Sequence, residues 1–104
     1  MGYDLLELVL AYSKRIKDNR SRYYVLAKAT EELGECATEV CVAEGEGYKT
    51  AGKDGVVGEA MDSILALIDL IYIDNPEVET EDLIKIAIKK LDKWESKVTA
   101  EQNK

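Results

Sequence analysis

Apolar residues recur every three to four positions along four segments of the chain, which is the spacing of one face of an α-helix. These segments cover residues 4–17, 21–44, 54–73 and 80–98. Ser21, Asp54 and Thr80 are suited to cap helix starts, and Gly45 is suited to end the second helix. No segment shows sustained two-residue alternation, so no strand is expected. The pattern predicts an all-α fold, a small four-helix bundle.

Two of the predicted helices, the first and the third, are apolar on more than one side, which one small chain is not expected to cover. The second half of the third, ILALIDLIYI, is apolar nearly all round apart from Asp69. The inward side chains expected on the second helix are Leu26, Ala29, Leu33, Cys36, Ala37 and Val40. Those expected on the fourth are Ile84, Ala87, Ile88, Leu91 and Trp94. We therefore predict one domain over residues 1–104, with a core over 4–98 and a fraying polar tail over 99–104, assembled as a homodimer or tetramer.

Charge and composition exclude several classes of function. The 104 residues include 21 acidic and 14 basic side chains, a net charge of −7, which argues against binding a nucleic-acid polymer. The absence of histidine removes Ser-His-Asp and Cys-His catalysis and His-ligated zinc. Cys36 and Cys41, five residues apart on a helix, diverge by roughly 140° and are not expected to form a disulfide. With no apolar run of membrane-spanning length, we expect a cytoplasmic protein without membrane contact.

Carboxylates are clustered at helical spacing in the second and third segments. Glu31, Glu32 and Glu35 form E-E-x-x-E, and Glu59 and Asp62 form E-x-x-D after a spacer of 23 residues. Residues three or four apart share a helix face, so two antiparallel helices can bring the patches together. Like-charge repulsion in such a cluster is relieved by a divalent cation, and all-oxygen ligands favour Mg²⁺, Mn²⁺ or Ca²⁺.

This acidic pattern resembles the all-α nucleoside triphosphate pyrophosphohydrolases of the MazG type. The segment KATEELGECATEV is similar to the E-E-L-G-E-x-x-E motif of that family, and VVGEAMDSILALIDL to its G-E-x-x-D helix. The closing KKLDKWESKV is similar to the last helix of the family, so the resemblance spans residues 22–98.

The resemblance implies hydrolysis of a nucleoside triphosphate to the monophosphate and pyrophosphate, in nucleotide-pool cleansing or control. It implies Mg²⁺ as cofactor, with Mn²⁺ as a possible substitute. The matching positions would make Glu32, Glu35, Glu59 and Asp62 the metal ligands. Glu31 would orient or deprotonate the attacking water, and Glu39 is a weaker candidate for a substrate or second-metal contact.

Three further side chains are candidates for substrate binding. Lys53, beside the predicted start of the third helix, could meet a phosphate, and Tyr48 could stack on a base. Lys93 is the candidate from the last helix, because that helix offers basic groups to phosphate in the family. The stretch from Gly47 to Asp54 nearly matches a phosphate-binding loop, but Asp replaces the required hydroxyl residue and the preceding segment is helical.

Two other interpretations of the chain remain open. In the first, the protein is a non-catalytic acidic helical interaction module, whose carboxylates form a solvated surface. The second interpretation is a di-iron carboxylate bundle. The absence of histidine argues against it, because that class typically uses Glu-x-x-His motifs as ligands. The arginines near the first turn, Arg15, Arg20 and Arg22, are expected to be exposed to solvent.

Overall fold

The structure is a computed structural model that describes residues 4–45, 52 and 54–103. These residues form four α-helices and no strand, which confirms the predicted all-α class. The helices are α1 Leu5–Arg15, α2 Arg22–Ala43, α3 Gly55–Asp74 and α4 Thr80–Gln102. None of them is long and apolar enough to cross a membrane.

The first two helices begin at side chains that satisfy free backbone N–H groups. The Asp4 carboxylate accepts the N–H of Leu6 at 2.9 Å, and the Ser21 hydroxyl accepts the N–H of Tyr24 at 3.1 Å. At the other end of α2, Gly45 has a φ of 73°, a left-handed conformation that glycine adopts without steric cost. The sequence therefore specifies these boundaries locally.

The last helix differs from its prediction at both ends. Its N-cap is Glu79, one residue before Thr80, and the Glu79 N–H donates to the Asp82 carboxylate at 3.4 Å. At the C-terminal end, α4 continues to Gln102, through residues expected to fray after Val98. The polar residues at this end include no glycine or proline that would stop the helix.

The third helix is the centre of the fold. It packs along α2 on one side and against α1 on another, and α1 also touches α4. The buried apolar side chains of the described residues are few: Val25, Ala29, Ile68 and Leu83. Leu83 anchors the start of α4, which makes no close backbone approach to α2 or α3.

The covered face of α2 overlaps only one edge of the predicted apolar stripe, at Ala29 and Cys36. The large members of that stripe, Leu26, Leu33 and Val40, are exposed, whereas Val25 and Glu39 are buried. The prediction was wrong for these three side chains because periodicity identifies an apolar face without saying which neighbour covers it. In this chain, α3 covers an adjacent face that carries carboxylates.

The predicted inward face of α4 is also exposed within the chain. Ile84, Ile88 and Leu91 lie in solvent, and Trp94 is 65% exposed, so their prediction as core residues was wrong. Ala87 alone is partly covered. The reason is that α4 approaches only α1 among the described helices, and every described residue from Ile88 onwards is exposed.

One of the arginines expected in solvent, Arg20, is largely covered by the fold. The Arg20 side chain is only 9% exposed and donates to both carboxylate oxygens of Asp69, at 2.8 and 2.9 Å. It also donates to Asp18 at 2.6 Å and to two backbone carbonyls at the end of α1. Burial opposes ionisation of Asp69, but the Arg20 hydrogen bond lowers its pKa overall. Arg15 and Arg22 are exposed, as predicted.

Candidate metal centre

The two acidic motifs meet where α2 and α3 lie side by side. Glu32 on α2 lies close to Asp62 on α3, and the Glu35 carboxylate is near enough to that of Glu59 to raise its pKa. Residue numbers therefore rise along α2 as they fall along α3, so the two helices are antiparallel. The predicted convergence of the two carboxylate patches is confirmed for these side chains.

Three of the carboxylates form a compact cluster. One oxygen each from Glu32, Glu59 and Asp62 lies within 4.8 Å of the other two, and all three residues are partly buried. Oxygens bound to one octahedral Mg²⁺ at about 2.1 Å are separated by roughly 3–4 Å. Only small side-chain adjustments would be needed for these three oxygens to share one cation.

A buried oxygen in this cluster has no hydrogen-bond partner. Oε2 of Glu59 is inaccessible to solvent and receives no hydrogen bond from the residues that the structure describes. A buried charged oxygen without a donor is costly, and such groups are rare in folded proteins. A cation bound between the helices would satisfy this oxygen.

The environment of the cluster disfavours negative charge. Partial burial is the main cause that raises the pKa of Glu32, followed by the charges of Glu35 and Asp62. Burial also raises the pKa of Glu59, and the neighbouring Glu35 carboxylate adds to this effect. Both acids are therefore harder to ionise than isolated glutamates, and a bound cation would reverse that effect.

Glu35 lies at the edge of the cluster. It is exposed, it interacts with both Glu32 and Glu59, and it lies outside the compact set of three. A shift of its flexible side chain would be needed for it to join a shared cation. Its predicted role as a ligand stays a prediction.

A lysine on the same helical arc as the glutamates of α2 lies beside the site. The Lys28 ammonium is 3.7 Å from Oε1 of Glu32 and 3.7 Å from Oε1 of Glu31. The charges of Glu31 and then Glu32 raise its pKa. The signal in the sequence is the spacing of three and four residues on one helix, which brings such pairs together. Lys28 is thus the basic side chain that the described fold places next to the carboxylates.

The predicted catalytic residue is on the outer side of α2. Glu31 is exposed and lies next to Glu32 in sequence, but its carboxylate is outside the cluster of three and pairs with Lys28. It faces solvent, from which water and substrate can approach. Its role as a base stays a prediction.

The four predicted substrate contacts have different outcomes. Lys93 is exposed on α4, which does not approach α2 or α3, so this chain does not bring it to the cluster. Glu39 is buried and accepts a hydrogen bond from the Gly52 backbone. Lys53 and Tyr48 lie outside the described residues.

The acidic cluster is separate from a large apolar groove on the described surface. That groove, about 720 Å³ in volume, lies between the start of α2, the end of α3 and the start of α4. Its apolar wall includes Leu26, Ile71 and Ile86, and none of the clustered carboxylates lines it. The carboxylate cluster is therefore a surface site between two helices and is not at the bottom of this groove.

Comparisons with protein-family models, with curated proteins and with solved structures find no match for this chain. The resemblance to the MazG-type pyrophosphohydrolases therefore rests on the quoted motifs, and the site must be interpreted from its own geometry.

Proposed function

We propose that this protein is a Mg²⁺-dependent nucleoside triphosphate pyrophosphohydrolase that converts (d)NTP to (d)NMP and pyrophosphate, in nucleotide-pool cleansing or control. The observation that carries the proposal is the convergence of Glu32, Glu59 and Asp62 from two helices around an unpartnered buried oxygen. An acidic patch used only for solubility would face water, where its charges cost little. Here the charges are partly buried against each other, which favours a bound cation.

The carboxylates supply a binding site for a hard cation and its triphosphate. Glu32, Glu59 and Asp62 would hold Mg²⁺, with Glu35 as a further ligand or as support to the others. When bound, the cation supplies charge neutralisation at the phosphate oxygens and favours ionisation of nearby water. Among the described residues, Lys28 is the basic side chain beside this site, so a bound metal would account for triphosphate binding by a chain of net charge −7.

The residues of α2 would also manage the attacking water. In the proposed reaction the water oxygen forms a bond to the α-phosphorus, the bond from that phosphorus to the bridging oxygen breaks, and pyrophosphate leaves. Glu31 would accept the proton of the water, because it is solvent-facing and adjacent to Glu32. Lys28, within 4 Å of both glutamates, would orient Glu31 and offset the negative charge of the substrate.

We also propose that the chain works as a homo-oligomer, a homodimer or tetramer. Apolar side chains on α2 and α4 are exposed in the single chain, among them Leu33 and Trp94. Large exposed apolar patches are typical of surfaces that another subunit covers. In such an assembly, Lys93 of one subunit would be able to reach the carboxylate cluster of another, which it does not reach within its own chain.

The test is a panel of NTPs and dNTPs incubated with the protein, with separate assays for pyrophosphate and orthophosphate. We expect pyrophosphate release that requires Mg²⁺ or Mn²⁺ and stops with chelator. Glu59→Gln and Asp62→Asn should lower turnover by at least about 100-fold, since removal of one ligand weakens metal binding and charge stabilisation together. Glu101→Gln, an exposed acid near the end of α4, is the matched control and should leave the rate unchanged.

Two outcomes would contradict the proposal. Release of orthophosphate in place of pyrophosphate would indicate a different hydrolase. No turnover of any nucleotide, together with no effect of Mg²⁺ on thermal stability, would favour the non-catalytic acidic interaction module.

A further inference from the structure

Five apolar side chains follow one line along α4. They are Ile84, Ala87, Leu91, Trp94 and Val98. Their spacing alternates between three and four residues, which is the heptad pattern of the contact positions in a two-stranded coiled coil. We call these five residues the α4 seam. In heptad notation Ile84, Leu91 and Val98 occupy a positions, and Ala87 and Trp94 occupy d positions.

The α4 seam has no partner within the described chain. Leu91 is 54% exposed and Trp94 is 65% exposed, and no other described helix approaches this half of α4. Ile84 and Val98 at the ends of the seam are also exposed. Two of the three a positions, Ile84 and Val98, carry β-branched residues, which are suited to the a positions of a two-stranded coiled coil.

The charges that flank the seam distinguish between possible arrangements. Lys90 and Lys97 occupy g positions, and Glu95 occupies an e position. In a parallel pair, each g residue faces the e residue five positions later on the other helix. Lys90 of each helix would therefore face Glu95 of the other, which gives two equivalent ion pairs by symmetry. In an antiparallel pair, g faces g, and the two lysine rows would repel. Among the described residues, neither Lys90 nor Glu95 has an ion-pair partner in the chain.

We propose that the α4 seam pairs with the same seam of a second copy as a parallel coiled coil, in which Lys90 faces Glu95 of the partner subunit. The occupant is a second copy because the seam is self-complementary in both its apolar line and its flanking charges. This goes beyond the proposed function, since it names the surface, direction and charge pairs of one subunit contact. It needs neither metal nor nucleotide, so it stands or fails independently of catalysis.

The first test measures the mass of the assembly by analytical ultracentrifugation. Leu91→Lys places a charge in the seam and should halve the mass, from dimer to monomer or from tetramer to dimer. Ile86→Lys is the matched control, because Ile86 is 51% exposed on the same helix but lies off the seam, at the large groove. A monomeric wild type overturns the proposal, as does an assembly that Leu91→Lys leaves intact. Circular dichroism confirms that each variant is folded.

The second test determines the direction of pairing. Val98→Cys, in a background with Cys36→Ser and Cys41→Ser, places one thiol near the end of the seam. A parallel pair brings the two thiols within disulfide reach, and mild oxidation should give a covalent dimer. In an antiparallel pair centred on Leu91 the two positions would be about 20 Å apart, at 1.5 Å per residue. If the variant assembles but forms no covalent dimer on oxidation, the parallel arrangement is overturned.

The third test examines the charge pair. Lys90→Glu should weaken self-association by roughly fivefold, because two attractive pairs become repulsive. Adding Glu95→Lys to it should restore the affinity. Trp94 is the only tryptophan, so a blue shift of its fluorescence with rising protein concentration reports burial of the seam. Unchanged affinity in Lys90→Glu, or no shift on assembly, contradicts the proposal.

Discussion

The Glu39 carboxylate on α2 accepts a hydrogen bond from the backbone N–H of Gly52, with 2.6 Å between Oε1 and N. Glu39 is buried, and a Cβ at position 52 would overlap its carboxylate, so glycine permits the close approach. The bond spans 13 residues and ties the connection before α3 back to α2. The sequence predicts Glu39 as a weak substrate contact, whereas in the structure its carboxylate anchors the backbone at Gly52.

Glu39→Ala should lower the free energy of unfolding by about 1.5–3 kcal/mol, because a hydrogen bond to a buried carboxylate is lost. Urea denaturation measures this change. The rise in melting temperature on addition of Mg²⁺ should persist, since Glu39 is outside the carboxylate cluster. Glu39→Gln, which keeps an acceptor oxygen, is the control and should cost less. Loss of the Mg²⁺ effect in Glu39→Gln would instead indicate a metal ligand.

Mg²⁺ should raise the melting temperature of the wild type by several degrees, because binding to the folded state alone adds about 2.7 kcal/mol at 100 times the dissociation constant. Glu59→Gln and Asp62→Asn should lose this rise in differential scanning fluorimetry. Glu31→Gln should keep it, because the Glu31 carboxylate lies outside the cluster. An equal rise in all three variants would show that Mg²⁺ acts elsewhere.

Removing one clustered charge should stabilise the metal-free protein at neutral pH. Burial and neighbouring acids raise the pKa of Glu59 above its ordinary value of 4.5, so its ionised form opposes folding. In chelator at about pH 7, Glu59→Gln should therefore melt higher than the wild type. The gap should narrow as pH falls through the raised pKa of Glu59, because the folded wild type then takes up a proton and regains stability.

Thermal melts at several pH values, in chelator and in excess Mg²⁺, test this expectation. With Mg²⁺ the order should reverse, because the cation stabilises only the complete set of carboxylates. A variant that is less stable than the wild type at every pH in chelator would show that the cluster is not repulsive.

The Arg20–Asp69 pair should matter far more than a similar pair at the surface. Asp69→Asn should destabilise the fold by about 3 kcal/mol, since it leaves the buried guanidinium without its main counter-charge. Asp74→Asn is the matched control, because the Arg22–Asp74 pair is exposed on both sides and should contribute about 0–1 kcal/mol. Chemical denaturation of both variants gives the comparison, and equal losses would contradict it.

The contribution of Asp69 to the free energy of unfolding should fall in acid, whereas lowering the pH should relieve the destabilisation by the acidic cluster. Its folded pKa is lowered from the ordinary value of 3.8, so its contribution is complete above that value. The contribution is lost as pH falls through the lowered pKa. The difference in unfolding free energy between wild type and Asp69→Asn should therefore stay constant from neutral pH to about pH 5 and shrink only in stronger acid.

The helices and the acidic motifs could be predicted from the sequence because their signals are local. The N-cap at Ser21 and the stop at Gly45 depend on a few neighbouring residues, and the structure has both. The spacing of Glu59 and Asp62 is enough to place their carboxylates on one face of a helix. The proximity of Lys28 to Glu32 follows from the same rule, because the two residues are four positions apart on α2.

Tertiary structure alone decided which helix faces are covered. The periodicity of α2 and α4 marks apolar lines through Leu33 and Trp94, yet α3 covers the carboxylate face of α2 and no described helix covers the outer half of α4. Likewise, only packing could bury Arg20 against Asp69, 49 residues away. Local spacing determines which residues lie on each side of a helix. Which neighbour covers each side depends on the free energy of the whole fold, so it cannot be predicted from the sequence of one helix alone.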